Sequence, residues 1–214
     1  MAVVTDLVVV RKRTGLTEVW LDGAPWLRLA LDLVVQFRLE VGRDLDDRQQ
    51  EEIRFADEAM RARQALARYT ALTLRTERQA RDYLLRKGIG ETAADVALER
   101  GRELGWLDDQ RFAGAWVRTR LKLKPAGPHR LRADLAARGV DGDTAAGAID
   151  AFGPGEDAQR ALALDQALRR AERWRRRYPA AETLEEKLRA YLTRQGYEAH
   201  LIRDVVRQAL EKTE

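Results

Sequence analysis

The sequence contains no cysteine. Disulfides, thiol catalysis and cysteine-bound zinc are therefore excluded, and the chain suits a reducing compartment. Histidine is almost as scarce: His129 and His200 stand far apart with no companion ligands, and no metal site can be read from them. No apolar run reaches the roughly 18 residues that a membrane span needs. The opening "MAVVTDLVVVRKR" is apolar, but Asp6 breaks it and the basic residues follow the run, the reverse of a signal peptide. The expected location is cytoplasmic. There is no GxxxxGK[ST] phosphate loop and no GxSxG elbow, so the chain is not read as an enzyme and no cofactor is expected.

What is abundant is charge. Charged residues make up 35% of the 214, and 39 Lys plus Arg face 35 Asp plus Glu. Only six of the basic residues are Lys. Guanidinium groups suit bidentate phosphate and carboxylate contacts. GC-rich codons also raise Arg and Ala together, so clustering carries information and totals do not.

Residues 1–30 read as strands. "DLVVVRKR", Thr14-Gly15, "LTEVWL" and Asp22-Gly23 follow one another. A DG step between β-rich runs marks a hairpin, because a type I′ turn needs positive φ at both central positions. Two or three strands are expected, then a short helix at "LDLVVQFRL". From about Asp46 the pattern is helical to the end. It opens on an acidic stretch, 40–58, with eight carboxylates against three Arg, and acid in a first helical turn suits the dipole.

An internal repeat organises the helical part. "ARDYLLRKG", "LRADLAARG" and "LRAYLTRQG" end at Gly88, Gly139 and Gly196, and each glycine precedes an apolar residue (Ile89, Val140, Tyr197). Arg81, Arg132 and Arg189 correspond, as do Leu84, Leu135 and Leu192. Inward positions of the following helices are Ala94, Ala97 and Leu98, then Ala145, Ala148 and Ile149, then Ile202, Val205 and Val206. The glycines lie 51 and 57 residues apart. The expected fold is mainly α, with tandem three-helix repeats in an elongated array after a small N-terminal β element. The expected divisions are 1–45, 46–105, 106–153 and 154–214.

Within "GWLDDQRFAGAW", Asp108 and Asp109 could be a catalytic pair, a metal site or a helix start. The spacing favours the last. Phe112, Trp116, Thr119 and Leu123 fall on one helical stripe, so Asp108 is placed as N-cap and Asp109 in the first turn. Contact with a polar partner is the alternative. Phe112, Trp116 and Phe152 are assigned to the core.

Two basic clusters stand out. Arg118, Arg120, Lys122, Lys124, Arg130 and Arg132 lie in 118–132 without an intervening acid. Arg111, Arg118 and Lys122 share one stripe, and Pro125-Ala126-Gly127-Pro128 makes a turn beside His129. The second cluster, "RRAERWRRRYP", holds Arg169, Arg170, Arg173, Arg175, Arg176 and Arg177 against one Glu172, with Trp174 and Tyr178 interleaved. Each suits an acidic groove or a phosphate backbone. A solvated helix face is the plain alternative for both, and Trp174 could equally be core. Gly153-Pro154-Gly155 reads as a hinge.

The segment from Lys87 to Val140 resembles the RecX family of recombination regulators. The resemblance rests on Gly105-Trp106-Leu107-Asp108-Asp109, Phe112-Ala113, Lys124-Pro125-Ala126-Gly127 and the basic helix Leu131 to Val140. It is specific over 77–152 and weaker over 156–210, where Gln195 stands in place of a usual basic residue. The family implies a non-enzymatic negative modulator of the RecA recombinase. Such a protein lies along the RecA–DNA filament groove and limits filament extension, ATP hydrolysis, strand exchange and the coprotease activity of the SOS response. The implied partners are the RecA filament and DNA, single-stranded first and double-stranded second, with no membrane, and the protein is expected to be a monomer. A stand-alone nucleic-acid-binding module is the competing reading.

Overall fold

The structure, a computed structural model, describes residues 1–11, 15–178 and 180–212. It is mostly helical, with a small sheet at the N-terminus. The chain divides into two compact units: Met1–Leu74 with Ala80–Leu107, and Arg75–Gln79 with Asp108–Glu214.

In the first unit, strands β1 (Ala2–Arg11), β2 (Leu16–Leu21), β3 (Ala24–Ala30) and β4 (Asp44–Leu45) form an antiparallel sheet in the order β3-β2-β1-β4. Asp22 and Gly23 have φ of 50° and 80°, as the DG turn requires. Thr14 of the preceding turn lies outside the described residues. The short β4, which pairs Leu45 with Ala2 and Asp44 with Val3, is an addition to the two or three strands expected. Two residues between a glycine-led loop and a helix cap carry no periodicity to betray a strand. Helix α1 (Leu31–Gln36) follows β3.

Helix α2 (Asp47–Thr70) begins with a capping box. The Gln49 N–H donates to the Asp46 carboxylate at 2.7 Å, and the Asp46 N–H donates to Gln49 Oε1 at 2.9 Å. At 24 residues it is about 36 Å long. Its first half puts Ile53 into the core of the sheet and α1, and its second half puts Ala62, Ala65 and Leu66 into a separate core. That second core is shared with α3 (Glu77–Arg86) and α4 (Glu91–Glu103) and closed by Leu107.

The second unit holds two further triplets. Helices α5 (Asp109–Leu123), α6 (Pro128–Ala136) and α7 (Gly142–Phe152) enclose Ala113, Val117, Leu131, Leu135, Val140, Ala145, Ala148 and Ile149. Helices α8 (Glu156–Arg175), α9 (Ala181–Arg194) and α10 (Ala199–Glu211) enclose Ala163, Ala167 and Ala171 with Leu184, Leu188, Leu192, Tyr197, Leu201, Val205 and Val206. Gly153 and Gly155 cap α7 and α8 on either side of Pro154, whose carbonyl accepts from Gln159 Nε2 at 2.9 Å.

The repeat glycines end the middle helices by one device. Gly88, Gly139 and Gly196 have φ of 77°, 89° and 81°. Their N–H groups donate to Leu85, Ala136 and Thr193 carbonyls. The N–H groups of Ile89, Val140 and Tyr197 reach back to Leu84, Leu135 and Leu192 at 3.2, 3.2 and 3.3 Å. This is the Schellman pattern, and the apolar residue after each glycine is buried against the leucine that accepts from it.

The same ends are used again within the second unit, whose first residues open α3. Thr76 caps α3 by accepting the Gln79 N–H, and its hydroxyl donates to the Arg138 carbonyl at 2.7 Å. At the equivalent point of the next pair, the N–H of Gly127, the N-cap of α6, donates to the Gln195 carbonyl at 2.8 Å. The His129 N–H donates to Gly196 at 3.2 Å. Each link ties the start of one middle helix to the glycine-terminated end of the next. No room is left for a side chain. A Cβ on Gly139 would stand 2.3 Å from Arg78 Cβ, and one on Gly196 would stand 2.2 Å from the Arg130 nitrogen, whereas one on Gly88 would meet nothing.

Gly88→Ala should therefore lose only the stability that left-handed strain costs, about 1–2 kcal/mol. Gly196→Ala should lose more, because the start of α6 must also move. Urea unfolding followed by circular dichroism compares the two, and a Gly196→Ala loss no larger than that of Gly88→Ala would argue against the link.

Candidate nucleic-acid and protein interface

Helix α5 differs from the stripe expected of it. Ala113, Gly114 and Val117 are buried, Phe112 and Trp116 are half-buried at the edge of that core, and Thr119 and Leu123 are exposed, Leu123 by 73%. The small residues face inward because α7 approaches closely. Gly114 is the contact point: a Cβ there would stand 2.6 Å from the Phe152 ring. Phe152 is accordingly not core. It lies over Gly114, 44% exposed, with the Arg118 guanidinium 4.4 Å from its ring centre.

Asp108 accepts the Arg111 N–H at 2.8 Å and caps α5. Asp109 does more than sit in the first turn. Its carboxylate accepts the Glu77 N–H at 3.0 Å and so caps α3. Two adjacent carboxylates thus serve two helices. Burial raises the Asp109 pKa above the ordinary aspartate value. The Glu77 N–H opposes that rise, and the charges of Glu77, Asp141 and Asp108 add to it.

The basic residues separate into sets that their order in the chain does not suggest. Arg111, Lys122 and Arg132 are exposed and have no acidic partner among the described residues, and Arg118 is held on Phe152. Arg120 is only 19% exposed, with Nε 3.4 Å from Asp134, and Arg130 reaches the other oxygen of Asp134 at 3.0 Å. The acid missing from 118–132 stands two residues beyond it. His129 is exposed beside the α9–α10 turn.

In the second cluster, the Arg170 guanidinium lies 5.4 Å from the Trp174 ring centre and 4.7 Å from that of Tyr191. Trp174 meets Tyr178 and Tyr191 edge to face, all three half-buried against the third triplet's core. These aromatics pack the core edge, which leaves Trp174 a structural role. Arg177 is 5.7 Å from the Tyr178 ring centre, and Arg173 and Arg176 are exposed without acidic partners among the described residues.

The fold brings members of the two clusters together in one cleft of about 580 Å³. Arg120, Lys124 and Arg130 come from the α5–α6 region, and Arg169 and Arg194 from α8 and α9. Arg111, Arg118, Lys122 and Arg132 stay outside it, as do Arg170, Arg173, Arg176 and Arg177. Arg194 was not among the residues singled out, although a basic residue two before the repeat glycine was visible as Arg86 and again as Arg194. Gln166 fixes the frame of this cleft. Its Nε2 donates to the Pro125 carbonyl at 3.1 Å and lies 2.9 Å from the Tyr197 hydroxyl, and its Oε1 accepts from the Tyr191 hydroxyl at 3.2 Å. Burial pushes the Tyr197 phenol up to about 12, with the neighbouring Tyr191 adding and the Gln166 contact opposing.

Among the described residues no helix is long and apolar enough to cross a membrane, and no group of three or more His, Asp or Glu is placed to hold a metal ion. What the fold presents is a mainly helical protein whose second and third triplets carry exposed cationic side chains. A family model described as RecX, second three-helix domain, matches residues 108–149. Regulatory protein RecX of Geobacillus kaustophilus (strain HTA426) is 31% identical over 195 residues, covering 90% of this chain and 71% of that protein. The RecX of Bacillus subtilis (strain 168) is 28% identical over 216 residues, all of this chain and 78% of that one. A crystal structure of regulatory protein RecX superposes with a TM-score of 0.76 at 26% identity, over 96% of this chain and 98% of that one. The RecX structure from Lactobacillus salivarius gives a TM-score of 0.64 at 21% identity, over 72% and 97%, and speaks to fold alone. The chain belongs to the RecX family, whose members are regulatory proteins.

Since the native state holds the Asp109 proton more tightly than the unfolded chain does, this group's contribution falls as pH rises from the ordinary aspartate pKa through the raised one. Asp109→Asn keeps the acceptor for Glu77 and loses the buried charge, so at neutral pH it should match or exceed the parent in urea. Asp108→Ala should lose about 1 kcal/mol, the usual cost of a lost cap. An Asp109→Asn variant as weak as the Asp108→Ala variant would contradict this account. For Tyr197, the unfolded phenol ionises at its ordinary value of 10.0 and the native one at about 12. The second unit should lose stability between those values as pH rises, and Tyr197→Phe should flatten that loss.

Proposed function

We propose that this protein is a negative modulator of the RecA recombinase that binds the RecA–DNA filament along its groove. It acts in the cytoplasm as a monomer and limits filament extension, and through that ATP hydrolysis, strand exchange and coprotease activity. Membership of a regulatory family supports the reading from one side. The observation that carries it is the convergence of Arg120, Lys124, Arg130, Arg169 and Arg194 on one cleft, with Arg111, Lys122 and Arg132 exposed elsewhere on the second triplet. Such a surface suits acidic protein and phosphate together. Successive triplets that touch successive protomers of a filament raise one another's effective concentration, so no single contact need be large.

The test is the DNA-dependent ATPase of recombinase filaments. Substoichiometric protein should lower it, and electron micrographs should show shorter filaments. Charge reversal at Lys122 and Arg132, with helicity unchanged, should weaken inhibition several-fold. Saturating protein that alters neither ATPase nor filament length removes the proposal. Inhibition that disappears at the salt concentration where naked single-strand binding disappears would favour the stand-alone nucleic-acid binder instead.

A further inference from the structure

The cleft between the α5–α6 turn and helices α8 and α9 has features of its own that do not depend on a recombinase. Five cations from four stretches of chain line it. Among the described residues only two carboxylates offset them: Asp134 behind Arg120 and Arg130, and Asp165, which pairs with Arg169 at 3.0 Å on an exposed rim. Lys124 and Arg194 have no acidic partner among the described residues. The Nη1 of Arg120 is covered by protein and finds no acceptor there. That nitrogen, being covered, holds the Arg120 charge in the wall of the cleft and is not itself a contact for a ligand.

The frame is also rigid. Gln166 commits its amide to Pro125, Tyr191 and Tyr197, and the backbone of Gly127 is tied to Gln195. Lys124 and Arg194 are each adjacent to a residue so fixed. Preorganised cations at several points around one cavity match a ligand that carries several negative oxygens on more than one centre. A single carboxylate would engage one or two of them. The volume, about 580 Å³, lies in the range of ordinary ligand sites and exceeds what one small anion fills.

We propose that this cleft is a binding site for successive phosphoryl groups, with Lys124 and Arg194 as the cations that meet the ligand first and Arg120 as the fixed charge at its wall. Two sources share that chemistry: the backbone of a nucleic-acid strand and a free polyphosphate. The full-length chain is titrated with sodium tripolyphosphate by calorimetry and with fluorescent oligo-dT by anisotropy over a range of salt. Lys124→Gln, Arg194→Gln, their double variant and Arg203→Gln, at an exposed cation of α10 outside the cleft, are compared, with helicity checked.

The double variant should lose roughly tenfold or more in tripolyphosphate affinity, and its salt slope for oligo-dT should fall by about 0.7 for each cation removed. Arg203→Gln should leave tripolyphosphate binding unchanged. Loss of both ligands, with tripolyphosphate displacing oligo-dT, supports the site with a strand as its source. Loss of tripolyphosphate alone supports the site with a free polyphosphate as its source. If neither ligand is affected, or if Arg203→Gln weakens tripolyphosphate as much as the double variant does, the site is overturned in favour of diffuse surface charge. Neither titration contains a recombinase, so a protein that fails to inhibit ATPase can still pass here, and the reverse.

Discussion

Each middle helix ends with its chain turned into the left-handed region, and three sets of backbone groups depend on that turn. The glycine N–H and the one after it return to the helix's own last carbonyls. The carbonyls next to the glycine are then aimed outward, where at Arg138 and Gln195 they accept donors from the start of another middle helix. Reversing φ at Gly139 or Gly196 would undo the stop and the link together. Gly88 ends its helix in the same way but carries no such contact, since a Cβ there meets nothing. Two demands thus fall on Gly139 and Gly196, a backbone region that side chains avoid and an approach that side chains would block.

The need for such links follows from how little each triplet can bury. In the third triplet, α8 gives its core only three fully buried residues, all alanine. The first two triplets lean on Ala80, Ala93, Ala94 and Ala97, and on Ala113, Ala145 and Ala148. Alanine lets helices approach closely but removes little apolar area from water, and units of some fifty residues bury a small share of their surface in any case. Backbone hydrogen bonds from one middle helix to the next add order where apolar burial is thin. The aspartate pair follows the same logic: Asp109 closes the end of α3 while Asp108 closes that of α5.

Much of this was legible because it is local. A glycine that ends a helix, an apolar residue that packs back, and inward positions three and four apart are all written within a dozen residues. Ala94, Ala97 and Leu98 and their counterparts in α7 and α10 are buried as the spacing implies. The core face of α5 was not legible, because periodicity follows the large side chains. Here the face was chosen by the small ones, Ala113 and Gly114, against which α7 and Phe152 could lie. The fourth strand escaped for a different reason, being too short to show alternation. For the basic residues, composition gave the sign of the surface but not the pairing. Arg130 with Asp134 follows the i, i+4 rule and could have been read, whereas Arg120 with Asp134, and Arg194 beside Lys124, exist only once the helices are packed.

That difference decides which cations can act on a partner. An arginine already lying on a carboxylate or an aromatic ring has part of its charge and most of its geometry committed, as have Arg120, Arg130, Arg169 and Arg170. The Arg169 pair is exposed on both sides and adds little to stability, so committing that arginine chiefly shapes the field. Arg111, Lys122, Lys124, Arg132, Arg173, Arg176 and Arg194 carry no such partner among the described residues. Charges of this kind act over about 8 Å at physiological salt, which is enough to draw an acidic surface into register before any contact forms. The committed arginines then define where contact can be close, because their positions are already fixed. In the proposed filament modulator, that division would let the free cations set the rate of encounter and its response to salt, and the ordered cleft set where the encounter ends.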